Sequence, residues 1–450
     1  MSSRRSWVLA CALLSGCVVE DVIATCRAPG CLDSGVEPID AARVDAAVPS
    51  YCDGTGPPIL VSDRGMVCSG EIATGTFRFA VCTCDAYVGS AQLTTDSFAS
   101  ADGPYRPGGR GGGVGTNGGL DLNAPTSIGG SVWVAGSDGM GGGGGAEVVI
   151  GNELWVDGPC ELAASLEVAR DMRIDGRVQA GELRVGGVLQ LPEGADLSVT
   201  GAMSVGSVVR GPVTVSTPCA CAAADLVDVA GLVRAAQADN DDAAMGVDAR
   251  VLDGFTGPLR VELPCGRLYL TRLSGMGDLE LVITGRTALF VGGDAYLDGS
   301  LTVTLAAGAE LDLFIEGNLS SNGDLRVGDS TVPARARLYV GGGGTIDLDA
   351  GALFAGNLYA PRAELVASGD IEAFGSVFVR RVTASGRFTV HYDTSVLRAA
   401  DPCPERPTCD GCQDCRNQAC IAGECGRCTD SSQCCTPLVC AAGACVAEPI

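Results

Sequence analysis

Lysine is absent from this 450-residue chain, and histidine occurs once, at His391. All 30 basic residues are therefore arginine. Without lysine, Schiff-base catalysis, a Walker-type phosphate lysine and kinase-type phosphate contacts are excluded. With one histidine, a multi-histidine metal site has no material, and any histidine-based triad would have to be built on His391. Beyond the first residues, no apolar run approaches the roughly 20 positions that a membrane-spanning helix needs. Basic groups are also outnumbered, 30 against 54 acidic ones, for a net charge of −24. Such a surface repels phosphate backbones and anionic lipid heads, so nucleic acid is not an expected partner.

What is present begins with an export signal. Arg4 and Arg5 precede an apolar core at residues 7–14, too short to cross a bilayer. Leu14-Ser15-Gly16-Cys17 follows directly and resembles the lipobox read by lipoprotein signal peptidase. Small residues before the cut let the backbone enter the peptidase site, and the Cys17 thiol receives the lipid. The plain alternative is an ordinary signal peptide with a chance cysteine. Ser3-Arg4-Arg5-Ser6-Trp7 also has a faint twin-arginine look, which would change the route and not the destination. The expectation is a signal peptide at 1–16 and a tether at 17–50 that is membrane-bound through acylated Cys17. The tether carries Pro29, Pro38 and Pro49 and no apolar period. Val18 and Val19 after the anchor, in place of Asp, point to the outer membrane or cell surface.

Of 23 cysteines, Cys11 leaves with the signal and Cys17 takes the lipid, which leaves an odd 21. In an exported chain these read as disulfide candidates. Cys26 and Cys31 are placed to close a small loop in the tether. Cys52, Cys68, Cys82 and Cys84 lie in a β-rich and glycine-rich region at 51–127, and Cys160, Cys219, Cys221 and Cys265 lie in the body. The segment 401–450 holds eleven more: Cys403, Cys409, Cys412, Cys415, Cys420, Cys425, Cys428, Cys434, Cys435, Cys440 and Cys445. Its last spacing, C-x5-CC-x4-C-x4-C, looks like that of small knotted disulfide domains. Its C-x2-C pairs hint at zinc, but the segment has no histidine and its compartment oxidises thiols, so no metal and no cofactor are expected. A module this short needs cross-links, because it cannot bury enough apolar area unaided.

Glycine clusters at 108–119 and 139–145 lack the G-x-x-x-x-G-K-[ST] pattern and read as flexible or solenoid-turn glycine. The informative feature is a repeat of apolar-polar-apolar triplets: Leu154-Trp155-Val156, Leu166-Glu167-Val168, Met172-Arg173-Ile174, Leu183-Arg184-Val185. It continues through Leu189-Gln190-Leu191, Leu197-Ser198-Val199 and Met203-Ser204-Val205 to Val213-Thr214-Val215. Taking alternate triplets gives an advance of about 16 residues, one coil of a β-solenoid, with period-two alternation inside each strand. The pattern breaks near Cys219-Ala220-Cys221. There Leu226, Val229 and Val233 predict a short amphipathic helix, followed by Asp239-Asn240-Asp241-Asp242, which fails the EF-hand pattern and reads as a solvated loop. Triplets resume at Leu279-Glu280-Leu281 and Leu311-Asp312-Leu313. The expected fold is all-β: a parallel β-solenoid at 128–400 with one short helical insertion, plus the disulfide-rich module at 401–450.

Three further segments occur in order: Gly356-Asn357-Leu358-Tyr359-Ala360-Pro361, then Phe374-Gly375-Ser376, then His391-Tyr392-Asp393. They resemble the C-terminal part of a domain of unknown function in bacterial surface and pilus-assembly-associated proteins. The resemblance implies a repetitive β-fold on a surface or filament, and no established reaction. His391, Tyr392 and Asp393 could suggest acid–base chemistry, but no nucleophile is identifiable nearby, and an end-strand role with histidine bonded to aspartate is the simpler expectation. The functional expectation is a non-catalytic surface scaffold or adhesin. The alternatives are a module binding a surface protein or glycan through its cysteine-rich tail, and a polysaccharide-active enzyme on a β-helix.

Overall fold

The computed structural model describes residues 52, 58–61, 65–348 and 352–399, with 411, 419–426, 428–434, 438–441 and 444–447 of the tail. The export signal, Cys17, the tether with Cys26 and Cys31, and Cys403, Cys409, Cys412, Cys415 and Cys435 lie outside the described residues, as do the side chains of Cys68, Cys425, Cys440 and Cys445.

Apolar residues at every second position can bury one side of a strand only if successive coils stack. Each coil here has three short strands, one per face, and each pairs in parallel with its equivalent in the next coil. On the first face Val132 pairs with Leu154, Leu154 with Met172 and Met172 with Leu189. On the second, Met140 pairs with Cys160 and Cys160 with Val178. On the third, Val148 pairs with Leu166 and Leu166 with Leu183. Leu154, Leu166 and Leu183 are buried, while Glu167 and Arg184 between them face solvent. The protein is the expected parallel β-solenoid, but its period exceeds 16 residues. Leu154 to Met172 is a step of 18, and Leu313 to Leu338 a step of 25. The steps of 14, Leu183 to Leu197 and Leu189 to Met203, arise where the triplet series changes face: Leu189 pairs with Met172 on the first face, but Leu197 pairs with Val178 on the second and Met203 with Leu183 on the third.

The order of coils in space is not their order in the chain. Winding starts at Val81–Thr83 and proceeds to Met203–Arg210 at one end. The chain then leaves the stack, restarts at Asp253–Phe255 at the other end, and winds back to Phe388–Asp393. There Val377 pairs with Val81, Val382 with Tyr87 and Phe388 with Leu93. The two halves meet at a seam inside one solenoid. This corrects the separate region drawn at 51–127, since Val81–Thr83 is already a coil of the body.

The crossover at 211–252 runs outside the first face. Val213-Thr214-Val215 lies in it as irregular chain and forms no strand. Disulfides Cys82–Cys219 and Cys84–Cys221 fasten it at the seam, and Cys52–Cys265 ties the N-terminal segment to the far half. Helix α1 (Ser69–Thr76) precedes the first coil, and α2 (Val229–Ala238) and α3 (Asp242–Met245) follow in the crossover, so helices exceed the single insertion expected. Asp228 caps α2 by accepting from the Gly231 amide at 2.9 Å. Its apolar stripe, Val229, Leu232, Val233 and Ala236, is buried against first-face strands. Because that face is covered outside as well, its strands are buried on both sides. Tyr269, Phe290, Phe314, Tyr339, Tyr359 and Phe378 follow one another in register. Phe314 stacks 5.0 Å from Phe290 and 4.6 Å from Tyr339.

Cys160 corrects a disulfide assignment: it is a free, buried thiol. It sits at an inward position between Met140 and Val178, where it packs as a small apolar group. Burial, helped by Glu161, pushes its thiol up to about 12. In the tail, Cys420, Cys428 and Cys434 are disulfide-bonded.

The acidic run is also not a solvated loop. Asp241 accepts from the Arg267 amide at 2.8 Å and Asp242 from the Tyr269 amide at 2.9 Å, while Asp239 makes two 3.0 Å contacts with the Arg267 guanidinium. These carboxylates satisfy the outer edge of Gly266–Leu270, the first strand that the restarted winding lays on the first face, and burial holds the Asp242 carboxyl up at about 6. The acidic run is a cap on that end of the solenoid. Among the described residues no helix is long and apolar enough to cross a membrane.

Candidate functional site

The three signature segments occupy three successive coils. Asn357 pairs with Ser376, Tyr359 with Phe378, and Phe374 with His391, forming a stripe that ends at the seam. His391 in turn pairs with Asp96, across the seam.

His391 is buried between two carboxylates. Its Nδ1 lies 2.7 Å from Asp96 Oδ1 and its Nε2 lies 3.1 Å from Glu372 Oε1. A carboxylate accepts only, so both ring nitrogens are best satisfied as donors. Burial alone would lower the imidazole pKa, but Asp96 and Glu372 outweigh it and the net shift is upward. Tyr105, from the glycine-rich loop, lies over the ring at 4.1 Å and donates to Asp96 Oδ2 at 2.6 Å, and Phe374 packs alongside at 4.8 Å. That loop needs its glycines for close approach. A Cβ on Gly112, whose φ is +72°, would lie 2.4 Å from the Asp96 carbonyl oxygen, and one on Gly118 would lie 1.6 Å from that of Asp85.

The other two members of the triple also reach across the seam. The Tyr392 hydroxyl donates to the Phe77 carbonyl at 2.8 Å. Asp393, fully buried, accepts amides from Ser100 at 2.9 Å, Ser395 at 3.0 Å and Ala334 at 3.0 Å. Ser376 donates to the Phe79 carbonyl at 2.5 Å, and Tyr359 accepts from the Val227 amide in the crossover at 2.9 Å. The expected histidine–aspartate bond exists, and its acceptor is Asp96 from the other half. The strand is the last to be wound and lies inside the stack. Asp96, Tyr105 and Glu372 are partners that sequence reasoning missed, and the pairing of residues 295 positions apart leaves no local signal.

Beside this stripe runs a buried polar row, Asp312, Arg337 and Asn357 in register. Arg337 is held bidentately by Asp312 at 2.7 and 3.0 Å, with Glu310 at 3.0 Å and the Ala334 carbonyl at 2.9 Å. The two charges of the row are paired with each other, and Asn357 donates to the Pro333 and Ala336 carbonyls at 3.0 and 3.2 Å.

Past the seam the outward first face carries Trp133 and Trp155, stacked at 6.5 Å, with the Arg173 guanidinium 4.0 Å over Trp155 and Phe79 edge-on to Trp133. Both indoles are half-buried, with Arg173 over the Trp155 ring and Phe79 against Trp133. On the third face the outward row reads Arg260, Glu280, Thr302 and Arg326 in one half and Thr94, Ser127 and Val149 in the other, a mixture without a repeated chemistry. Among the described residues no group of three or more His, Cys, Asp or Glu side chains is placed to hold a metal.

No curated protein matches the chain. Among solved structures, an ice binding protein from an Antarctic bacterium Flavobacteriaceae is similar at 15% identity, over 72% of this chain and 97% of that one, with a TM-score of 0.21. Residues 222–398, from the crossover before α2 to just past the seam strand, match a family model described as a domain of unknown function (DUF7305).

Proposed function

We propose that this chain is a non-catalytic scaffold of the bacterial cell surface, held by a lipid on Cys17 and displaying a disulfide-rich tail from a rigid β-solenoid. The observation that carries the reading is the use made of His391, Tyr392 and Asp393. All three side chains bind groups across the seam, and both imidazole nitrogens already face carboxylates. A general base needs a ring nitrogen free to accept a proton from substrate, and neither is free in this arrangement. A polysaccharide-active β-helix would need an aligned shelf of carboxylates, and the mixed outward row of the third face does not supply one. The anchor rests on Leu14-Ser15-Gly16-Cys17 and the basic, apolar start before it.

Fractionation of cells expressing the full chain and its Cys17→Ala variant tests the reading. The parent is expected in the membrane fraction with a diacylglycerol-modified N-terminal peptide, and the variant in the soluble fraction. An unmodified peptide that starts elsewhere removes the anchor. A hydrolytic or lyase activity that disappears with His391→Ala removes the scaffold.

A further inference from the structure

The two ends of the solenoid are finished differently. One is capped by the Asp239–Asp242 carboxylates, and its exposed third-face edge, Leu259–Leu263, carries Arg260 and Glu262. At the other end Leu197–Val199 and Met203–Arg210 pair only with Val178–Leu191 among the described residues, so their outer backbone edges lie open. Met203 and Val208 stack on Leu183 and Leu189, which are fully buried, yet are themselves 44% exposed. Residues 197–209 contain no charged side chain, in a chain of net charge −24. Natural edge strands are normally guarded by charge, proline or a covering element; this one has a single charge, Arg210 at its end, whose guanidinium is turned onto the Pro192 and Ala195 carbonyls of its own chain.

We propose that this open coil is the contact surface for a second copy of the chain, the two solenoids meeting tip to tip about a two-fold axis. Two bodies of charge −24 repel, so contact between them is favoured where both are uncharged, and the tip is such a place. Head-to-tail stacking would require the opposite end to receive an edge, and there the acidic cap already holds the amides of Arg267 and Tyr269. What remains is an isologous, closed contact. A two-fold axis through the corner at Gly206–Ser207 and through Ser198 runs every edge antiparallel to its mate. The 203–205 segment of one copy then lies along 208–210 of the other, Ser204 faces Val209, and the Leu197–Val199 strands pair with each other. All the open amides and carbonyls of both tips gain partners in one step, and Met203 and Val208 leave water.

Sedimentation velocity of the full chain over a concentration series tests this, with two double variants at exposed positions. Ser204→Glu/Val209→Glu places like charges face to face twice across the two-fold and is expected to raise the dimer dissociation constant about tenfold or more. Ser204→Glu/Val209→Lys places opposite charges face to face and is expected to keep the dimer. Unchanged circular dichroism and melting temperature in both variants show that the coil itself is intact. A parent chain that stays monomeric throughout overturns the proposal, whether its tip proves covered by its own tail or binds lipid vesicles instead. Loss of the dimer in both variants equally, or in neither, overturns the two-fold register.

Discussion

Leu281→Asp is expected to remove upwards of about 5 kcal/mol of stability and to unravel the coils on either side of it. Leu281 is fully buried, pairing with Val261 below and Val303 above. Loss of its side chain alone leaves a cavity worth about 2–5 kcal/mol, and a carboxylate in that cavity has neither water nor a partner. In a solenoid each coil is held by its neighbours, so the damage propagates along the stack. The adjacent Glu280 alternates to the outside, where it pairs with Arg260 and both side chains are substantially exposed. Glu280→Gln is therefore expected to fall within about 0.5 kcal/mol of the parent. Denaturant melts of the two variants measure the contrast, and equal effects at 280 and 281 would contradict the inward–outward alternation.

Asp312→Ala is the second large effect, at about 3–5 kcal/mol. Arg337 is buried and donates two hydrogen bonds to Asp312. Glu310, held below its usual carboxylate range by Arg337 and Arg286 against the opposing effect of its own burial, cannot replace a bidentate partner. The loss arises mainly from stranding a buried guanidinium, so removing both charges should recover most of it. The double variant Asp312→Leu/Arg337→Met is expected to melt close to the parent. If the double variant falls as far as the single one, the pair is not what governs this part of the face.

The solenoid was legible because it is written locally. Triplets such as Leu183-Arg184-Val185 state which side chains turn inward, and their spacing requires stacking. The helix was legible from Val229 and Val233 for the same reason. Coil order was not legible, since parallel pairing between Phe388 and Leu93 rests on residues nearly 300 positions apart and any coil of similar cross-section would satisfy the same inward pattern. The period was not legible because a triplet carries no mark of its face: Leu197-Ser198-Val199 belongs to the second face and Met203-Ser204-Val205 to the third. The acidic run looked solvated because sequence carries no sign that a strand edge would need its carboxylates. Of the candidate site, His391, Tyr392 and Asp393 stand out as a group, whereas Asp96, the aspartate that His391 binds, lies 295 positions away and leaves no local signal. Cys160 reads as a bridging cysteine because residue type and compartment are visible in the sequence, while its inward register is not.

The central claim is that the two ends of the winding meet inside the stack. Pulsed electron paramagnetic resonance between spin labels on non-natural residues at Thr94 and Thr389 tests it directly, because these half-buried positions are paired across the seam and the native cysteines stay untouched. A joined seam is expected to give a distance under about 20 Å, one strand spacing plus the labels. A solenoid wound in chain order would place the two positions in its first and last coils, more than ten steps of ~4.8 Å apart, and a distance of roughly 50 Å or more would contradict the account.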